Sequence, residues 1–142
     1  MFSRSYAGSS FALPPGSAME DAVNGRRKIL IVDDEPSIRS MVKAVLERAG
    51  YEVATARNGF EAIERIAAND YDVVLLDVMM PKLDGREVVE ALRRDNSPVL
   101  AHTYLLTASP SAHLRELPVR GIIVKPFDIH ELVAETKDCI GH

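Results

Sequence analysis

The sequence predicts an α/β fold in which helices cover a parallel sheet. Short apolar runs rich in β-branched residues alternate with segments whose apolar residues recur at helical spacing. The runs are apolar at consecutive positions, as is typical of strands buried on both faces. Five such strands alternating with five helices predict a parallel sheet with right-handed crossovers. The 142 residues are enough for one domain of ordinary size.

The predicted domain follows a leader. Residues 1–25 are dominated by Ser, Gly and Pro without a persistent period, so we expect a disordered segment and place the domain at 26–142. The first strand is Lys28–Val32. The helix after it is expected to begin at Pro36, to carry an apolar stripe on one side and to end at Gly50.

The second strand, Glu52–Ala56, is more polar than the first, which predicts an edge position. Asn58 and Glu61 form a predicted capping box for the second helix. Its predicted core face consists of Phe60, Ile63, Ile66 and Ala67.

A continuous apolar run at 73–76 leads into Asp77, and we interpret it as the central strand. The third helix is expected to begin after Asp84, which can form a capping box with Glu87. Its predicted sheet-facing residues are Val88, Val89 and Leu92.

The last third of the chain supplies the fourth strand, predicted at 99–106 and followed by Thr107. Pro118 leaves room only for a short helix within 109–117. The fifth strand is predicted at 122–124. A last helix, capped by Asp128 and Glu131, carries the apolar face formed by Ile129, Leu132, Val133, Thr136 and Ile140.

Composition argues against several classes of function. The net charge is −4, and no basic patch is present that would bind nucleic acid directly. The single cysteine, Cys139, cannot form an internal disulfide, and no Cys/His cluster predicts a zinc site. The single cysteine fits a reducing cytosol, so we expect a cytoplasmic protein. No apolar run approaches the roughly 20 residues of a transmembrane helix, so we expect no membrane contacts.

Polar residues follow four of the five predicted strands. They are Asp33 and Asp34, Asp77, Thr107 and Lys125. Ligands of open parallel sheets bind beyond the carboxyl ends of the strands. Three carboxylates there would repel one another unless a cation intervenes, and Mg²⁺ prefers such oxygen ligands. A carboxylate is also a nucleophile for a phosphoryl group, whose oxygens the Lys125 ammonium and the Thr107 hydroxyl can bind.

These residues, in this order on these strands, resemble the receiver domain of two-component response regulators. The resemblance covers roughly residues 28–140 and includes the sequences Met79-Met80-Pro81 and Asp84-Gly85 after the central aspartate. It implies a flavodoxin-like, doubly wound sheet of strand order 2-1-3-4-5. It also implies a signalling module, and not an enzyme that turns over a separate substrate.

The resemblance assigns a role to each residue of the site. Asp77 would accept a phosphoryl group from a histidine kinase or a histidine phosphotransfer protein. Asp34, Asp77 and the backbone carbonyl of Met79 would bind Mg²⁺ or Mn²⁺, with Asp33 contributing through water. Thr107 and Lys125 would bind the phosphoryl group. The Lys125–Pro126 peptide bond would be cis.

Two features depart from the family pattern. Ile122 stands where the family usually has the aromatic residue that, with Thr107, switches the output surface. The segment from Thr107 to Lys125 is also shorter than usual by about one helical turn, so the fourth helix should be short or irregular. This is the face on which receivers commonly dimerise or bind partners. The sequence therefore leaves open which downstream protein is bound and whether the chain forms a homodimer.

Alternative functions are a degenerate receiver that acts as a constitutive adaptor and a Mg²⁺-dependent phosphohydrolase. The hydrolase would need a second aspartate two positions after Asp77, where the chain has Met79. A flavodoxin-like cofactor binder would need a hydroxyl- and Gly-rich loop after the first strand, which instead carries Asp-Asp-Glu-Pro. We interpret Met79 and Met80 as packing residues of their loop. Because we find no second domain in the sequence, a stand-alone response regulator is the favoured hypothesis.

Overall fold

Five parallel strands form a sheet in the order β2-β1-β3-β4-β5, which confirms the predicted topology. The computed structural model describes residues 26–141, so the predicted disordered leader at 1–25 lies outside the described residues. The strands are β1 (Lys28–Val32), β2 (Glu52–Ala56), β3 (Val73–Asp77), β4 (Thr103–Thr107) and β5 (Gly121–Val124). The polar strand β2 lies at an edge, as its composition predicts.

Within residues 26–141, five α-helices connect or follow the strands. They are α1 (Pro36–Arg48), α2 (Gly59–Ala68), α3 (Gly85–Arg94), α4 (Ala112–Arg115) and α5 (Ile129–Ile140). The fourth helix is a single turn, which confirms the prediction of a short one. In the part of the chain that the structure describes, no helix has the length and apolar character needed to cross a membrane.

The sheet has a buried cluster on each face. Alternate residues of β1 and β3 point to opposite faces, so Leu30 and Ile31 belong to different clusters. One cluster lies under α2, α3 and α4 and includes Ala62, Val88 and Leu114. The other lies under α1 and α5 and includes Leu46 and Leu132. The strands are thus covered on both faces, which explains their continuous apolar runs.

Capping confirms one helix start and corrects another. At α3 the predicted capping box is complete, since Asp84 and Glu87 exchange backbone–side-chain hydrogen bonds of 2.9 and 3.0 Å. At α2 the Asn58 side chain accepts from Glu61 N at 2.9 Å. The Glu61 carboxylate bonds the backbone N–H and guanidinium of Arg57 and does not return to Asn58. The predicted box at α2 is therefore only half correct.

The predicted core face of α2 was partly wrong. Phe60 is 57% exposed, and Ala67 is exposed as well. Gly59 is buried because it lies against the loop before α3, where an added Cβ would come within 2.5 Å of the Leu83 carbonyl oxygen. This contact rotates the helix so that Ala62, Ile63 and Ile66 face the sheet and Phe60 points outward.

The predicted fourth strand also begins too early. Residues 98–102 form the 3₁₀ helix Pro98–His102, and β4 starts at Thr103. Pro98 favours a helical first turn, and the Ser97 side chain accepts from Val99 N at 3.4 Å. The Thr103 hydroxyl donates to the Val99 carbonyl at 2.8 Å, which fixes the change from helix to strand.

Candidate functional site

The carboxyl ends of β1, β3, β4 and β5 meet because these four strands are consecutive neighbours in the sheet. Val32 is paired with Leu76, Asp77 with Leu106, and Thr107 with Val124. The residues that end or follow these strands therefore lie side by side, as expected for a crevice at the end of a parallel sheet. The structure brings together the polar residues on which the sequence prediction depends.

Asp33 is fully buried at the end of β1. Its carboxylate accepts from Glu35 N at 3.0 Å through one oxygen and from the Lys125 ammonium at 3.1 Å through the other. Asp34 is exposed and makes no hydrogen bond or ion pair with any described residue. The two adjacent aspartates thus differ, because only Asp34 has a carboxylate free of protein partners within the described chain.

Asp77 ends the buried strand β3 and is 3% exposed. The Lys125 ammonium lies 3.2 Å from one of its carboxylate oxygens. Gly85, at the start of α3, packs on the same strand end and donates to the Val78 carbonyl at 2.9 Å. A Cβ at Gly85 would lie 2.6 Å from the Asp77 carbonyl oxygen, so this close approach requires glycine.

The electrostatics of the site are set by burial and by the proximity of like charges. Burial, followed by the charge of Asp33, raises the pKa of Asp77 to about 6, although Lys125 and a backbone hydrogen bond from Met79 oppose the shift. Burial lowers the pKa of the Lys125 ammonium, but its contacts with Asp33 and Asp77 outweigh burial and hold that pKa above its ordinary value. Asp77 is thus mostly ionised at neutral pH, and Lys125 is fully charged.

The acidic residues fit a hard divalent cation. Carboxylate oxygens of Asp33, Asp34 and Asp77 all lie within 4.8 Å of one another. One of these residues is exposed and two are buried, so the cluster opens to solvent on the side of Asp34. Few carboxylates with an open side suit Mg²⁺, which keeps several water ligands. A cation there would also offset the repulsion that raises the Asp77 pKa.

Thr107 is buried at the end of β4. Its hydroxyl oxygen accepts from Ser109 N at 3.0 Å, and it makes no hydrogen bond to Asp77 or Lys125 within the described chain. Lys125 N donates to the Thr107 carbonyl at 2.8 Å, which links the ends of β4 and β5. The Lys125–Pro126 peptide bond is cis.

Ile122 and the two loop methionines occupy different environments. Ile122 is half-buried on β5 and packs on the cluster that includes Leu105 and Leu114. Met80 is 8% exposed and packs in that same cluster, whereas Met79 is 74% exposed beside Asp77. The interpretation of both methionines as packing residues is therefore right for Met80 and wrong for Met79.

Sequence reasoning missed Arg39. This residue lies in the first turn of α1, and its guanidinium donates to the Asp33 carbonyl at 2.8 Å. A cation in the first turn is unfavourable to the helix dipole. An arginine at that position, five residues after an Asp-Asp pair, was the signal that could have identified it.

A family model, curated proteins and solved structures match this chain. The model of the response regulator receiver domain family matches residues 29–137. A curated relative, "Probable transcriptional regulator ycf27" of Guillardia theta, is 41% identical over 113 residues, which cover 79% of this chain and 44% of that protein. The chain spans about half the length of the curated relatives it matches.

Solved structures show the same similarity. The chemotaxis protein CheY4 of Vibrio cholerae has a TM-score of 0.74 at 34% identity, over 81% of this chain and 99% of that chain. The response regulator TrrA of Thermotoga maritima, in complex with Mg(2+)-BeF, has a TM-score of 0.69 at 38% identity, over 80% of this chain and 98% of that chain.

Proposed function

Because the chain belongs to the family of response regulator receiver domains, a signalling module of two-component systems, we propose that it is switched by phosphorylation of Asp77. The observation that carries this proposal is the contact of Asp77 with Lys125 beside the carboxylates of Asp33 and Asp34. A candidate nucleophile, a counter-charge and carboxylates that could hold a cation thus lie together at the carboxyl edge of the sheet.

The proposed reaction transfers a phosphoryl group from a histidine to Asp77. The phosphorus–nitrogen bond of a phosphohistidine breaks, and a phosphorus–oxygen bond to the Asp77 carboxylate forms. The histidine nitrogen keeps the electron pair of the broken bond and takes up a proton. The ionised form of Asp77 is the nucleophile, and with a pKa of about 6 most of it is ionised at neutral pH.

The surrounding residues position the group and neutralise its charge. Asp34, Asp77 and the Met79 carbonyl, with Asp33 through water, would hold Mg²⁺ or Mn²⁺, and such a cation would supply positive charge next to the phosphoryl oxygens. The Lys125 ammonium already lies 3.2 Å from an Asp77 carboxylate oxygen, and it would bind a phosphoryl oxygen once the group is attached. The Thr107 hydroxyl would rotate away from Ser109 N and bind another phosphoryl oxygen. This rotation would change the contacts at the end of β4 when Asp77 is phosphorylated.

Acetyl phosphate with Mg²⁺ tests the phosphorylation site directly. Intact mass spectrometry of the treated protein should show one added phosphoryl group. Asp77→Asn should abolish it, since the amide is not a nucleophile, and a chelator should abolish it in the wild type. Asp70→Asn is the matched control, because it removes the carboxylate of an exposed aspartate, and this variant should behave as the wild type does. A wild-type mass unchanged by acetyl phosphate and Mg²⁺ would overturn the proposal.

The proposed partners follow from this chemistry. The donor is a histidine kinase or a histidine phosphotransfer protein, which the chain would meet in the cytoplasm. Several relatives are named as transcriptional regulators, but the chain spans only about half of their length. We therefore propose a protein as the downstream partner and assign no DNA-binding activity to the described domain.

A constitutive adaptor is the second candidate, and Ile122 is the observation that favours it. The residue packs on the cluster with Leu114 of the one-turn helix α4, and it has no aromatic ring to move. Hydrogen exchange with and without beryllofluoride and Mg²⁺ separates the two candidates. A switched module should change its exchange between Thr107 and Lys125, whereas an adaptor should exchange identically in both states.

A further inference from the structure

We propose that Arg39 is a positioning residue for the cation site, because it holds the peptide group that joins Asp33 to Asp34. The inference rests on the proposed function, since it concerns the same acidic cluster. It adds a residue outside that cluster that determines where the exposed carboxylate of Asp34 points.

The contact is between the Arg39 guanidinium and the Asp33 carbonyl oxygen, at 2.8 Å. That carbonyl is half of the planar peptide unit whose other half is the Asp34 N–H. Rotation of this plane would swing Asp34 relative to Asp77. A hydrogen bond to the carbonyl from a charged donor is a strong restraint on such rotation.

The rest of Asp33 is held separately. Its N–H donates to the Ala56 carbonyl at 3.2 Å, and its carboxylate accepts from Glu35 and Lys125. Asp34 has no polar contact of its own with the described residues. The orientation of Asp34 therefore depends on the peptide unit that precedes it, and Arg39 is the side chain that bonds this unit.

Arg39 lies at the start of α1, so its role in helix formation has to be separated from its role at the loop. Glu35, the N-cap of α1, makes no side-chain capping bond. Asp33 instead makes two hydrogen bonds with the start of α1, because its carboxylate accepts from Glu35 N and its carbonyl accepts from the Arg39 guanidinium. A cation in the first turn also opposes the helix dipole. The helix dipole therefore gives no reason for an arginine here, and its guanidinium bonds the loop that carries Asp34.

The sign of the effect on Mg²⁺ affinity separates positioning from charge. If Arg39 acts only as a nearby positive charge, its removal should tighten Mg²⁺ binding, because repulsion of the cation falls. If it holds the Asp33–Asp34 peptide unit, its removal should weaken Mg²⁺ binding. Residues that orient metal ligands typically change affinity by about 10-fold or more.

The experiment is a Mg²⁺ titration of ¹⁵N-labelled full-length protein, followed through its backbone amide signals. We expect Arg39→Gln to weaken Mg²⁺ binding about 10-fold and to shift the Asp34 amide signal even without metal. Arg48→Gln is the matched control, since it removes the same charge from the exposed end of the same helix. Arg39→Lys, which keeps the charge and one donor, should recover part of the affinity.

The outcomes are distinguishable from failure of the proposed function. A wild type whose amide signals do not respond to Mg²⁺ would remove the cation site itself, and the inference with it. A wild type that binds Mg²⁺ while Arg39→Gln binds it equally or more tightly would overturn only the role of Arg39. Urea unfolding of each variant confirms that the compared proteins are folded.

Discussion

Replacing Asp77 by asparagine should stabilise the metal-free protein, although it removes the proposed phosphorylation site. The carboxylate is 3% exposed, and burial together with Asp33 raises its pKa to about 6 against the opposing effect of Lys125. Asparagine has nearly the same size and keeps an oxygen that accepts from Lys125. It carries no charge, so the cost of holding an ionised group at this position disappears.

The magnitude follows from the pKa. A change from the ordinary value of 3.8 to about 6 corresponds, at about 1.4 kcal/mol per pKa unit, to about 3 kcal/mol. This is an upper limit, because the substitution also removes part of the attraction that holds Lys125. Since Lys125 keeps its contact with Asp33 at 3.1 Å, we expect the free energy of unfolding to rise by about 1–3 kcal/mol at pH 7.5.

Urea unfolding with a chelator present, followed by circular dichroism from pH 4 to pH 8, measures this effect. Because the folded pKa is raised, folded Asp77 binds more protons than unfolded Asp77 between about pH 4 and pH 6. The contribution of Asp77 to wild-type stability therefore falls as the pH rises through this window. The gain from Asp77→Asn should be absent near pH 4, grow to about pH 6 and then level off.

Asp70→Asn is the control, because it removes an exposed carboxylate and should change stability by less than about 0.5 kcal/mol. Saturating Mg²⁺ should reduce the advantage of Asp77→Asn, since binding stabilises the wild type. Equal stability of wild type and Asp77→Asn at pH 7.5, or a gain that persists at pH 4, would refute the assignment of the cost to the Asp77 charge.

Three further substitutions test the structure around the site. Gly85→Ala places a Cβ 2.6 Å from the Asp77 carbonyl oxygen and should cost about 1–3 kcal/mol in urea unfolding; a neutral result would mean that α3 does not approach β3 so closely. Lys82 has a φ of 69°, so Lys82→Gly should raise the free energy of unfolding by up to about 1 kcal/mol, and a lowered melting temperature would contradict this. Phe60→Ser should change the free energy of unfolding by less than about 0.5 kcal/mol because Phe60 is 57% exposed. A decrease of about 2 kcal/mol or more would mean that Phe60 is part of the core.

The elements whose residues carry local signals were predicted well. The bounds of β1 and β2 agree with the sequence prediction, and the Asp84 capping box at α3 is present. These signals depend on residues within a few positions of one another, such as apolar runs and cap pairs. The short α4 was predictable for the same reason, since Pro118 and the length of the segment are local facts.

One error arose where distant packing overrides a local pattern, and two arose where a local signal was not used. The helical spacing that includes Phe60 cannot show that Gly59 must fit against Leu83, and this contact sets the rotation of α2. The apolar residues at 99–102 predict a strand, but they form a 3₁₀ helix because Ser97 caps it and Pro98 favours its first turn. The Arg39 contact spans only six positions, and the arginine five residues after the Asp-Asp pair is the local signal for it.

The sequence by itself determined which side chains follow each strand, and that parallel strands would place them at one edge of the sheet. Only the tertiary structure decided how these groups pair. Lys125 reaches Asp33 and Asp77 across 92 and 48 positions of the chain, while Asp34 is left exposed beside them. The physical reason is that residue type and spacing are local, whereas burial, pKa and the choice of hydrogen-bond partner depend on which distant groups the packed sheet brings within about 3 Å.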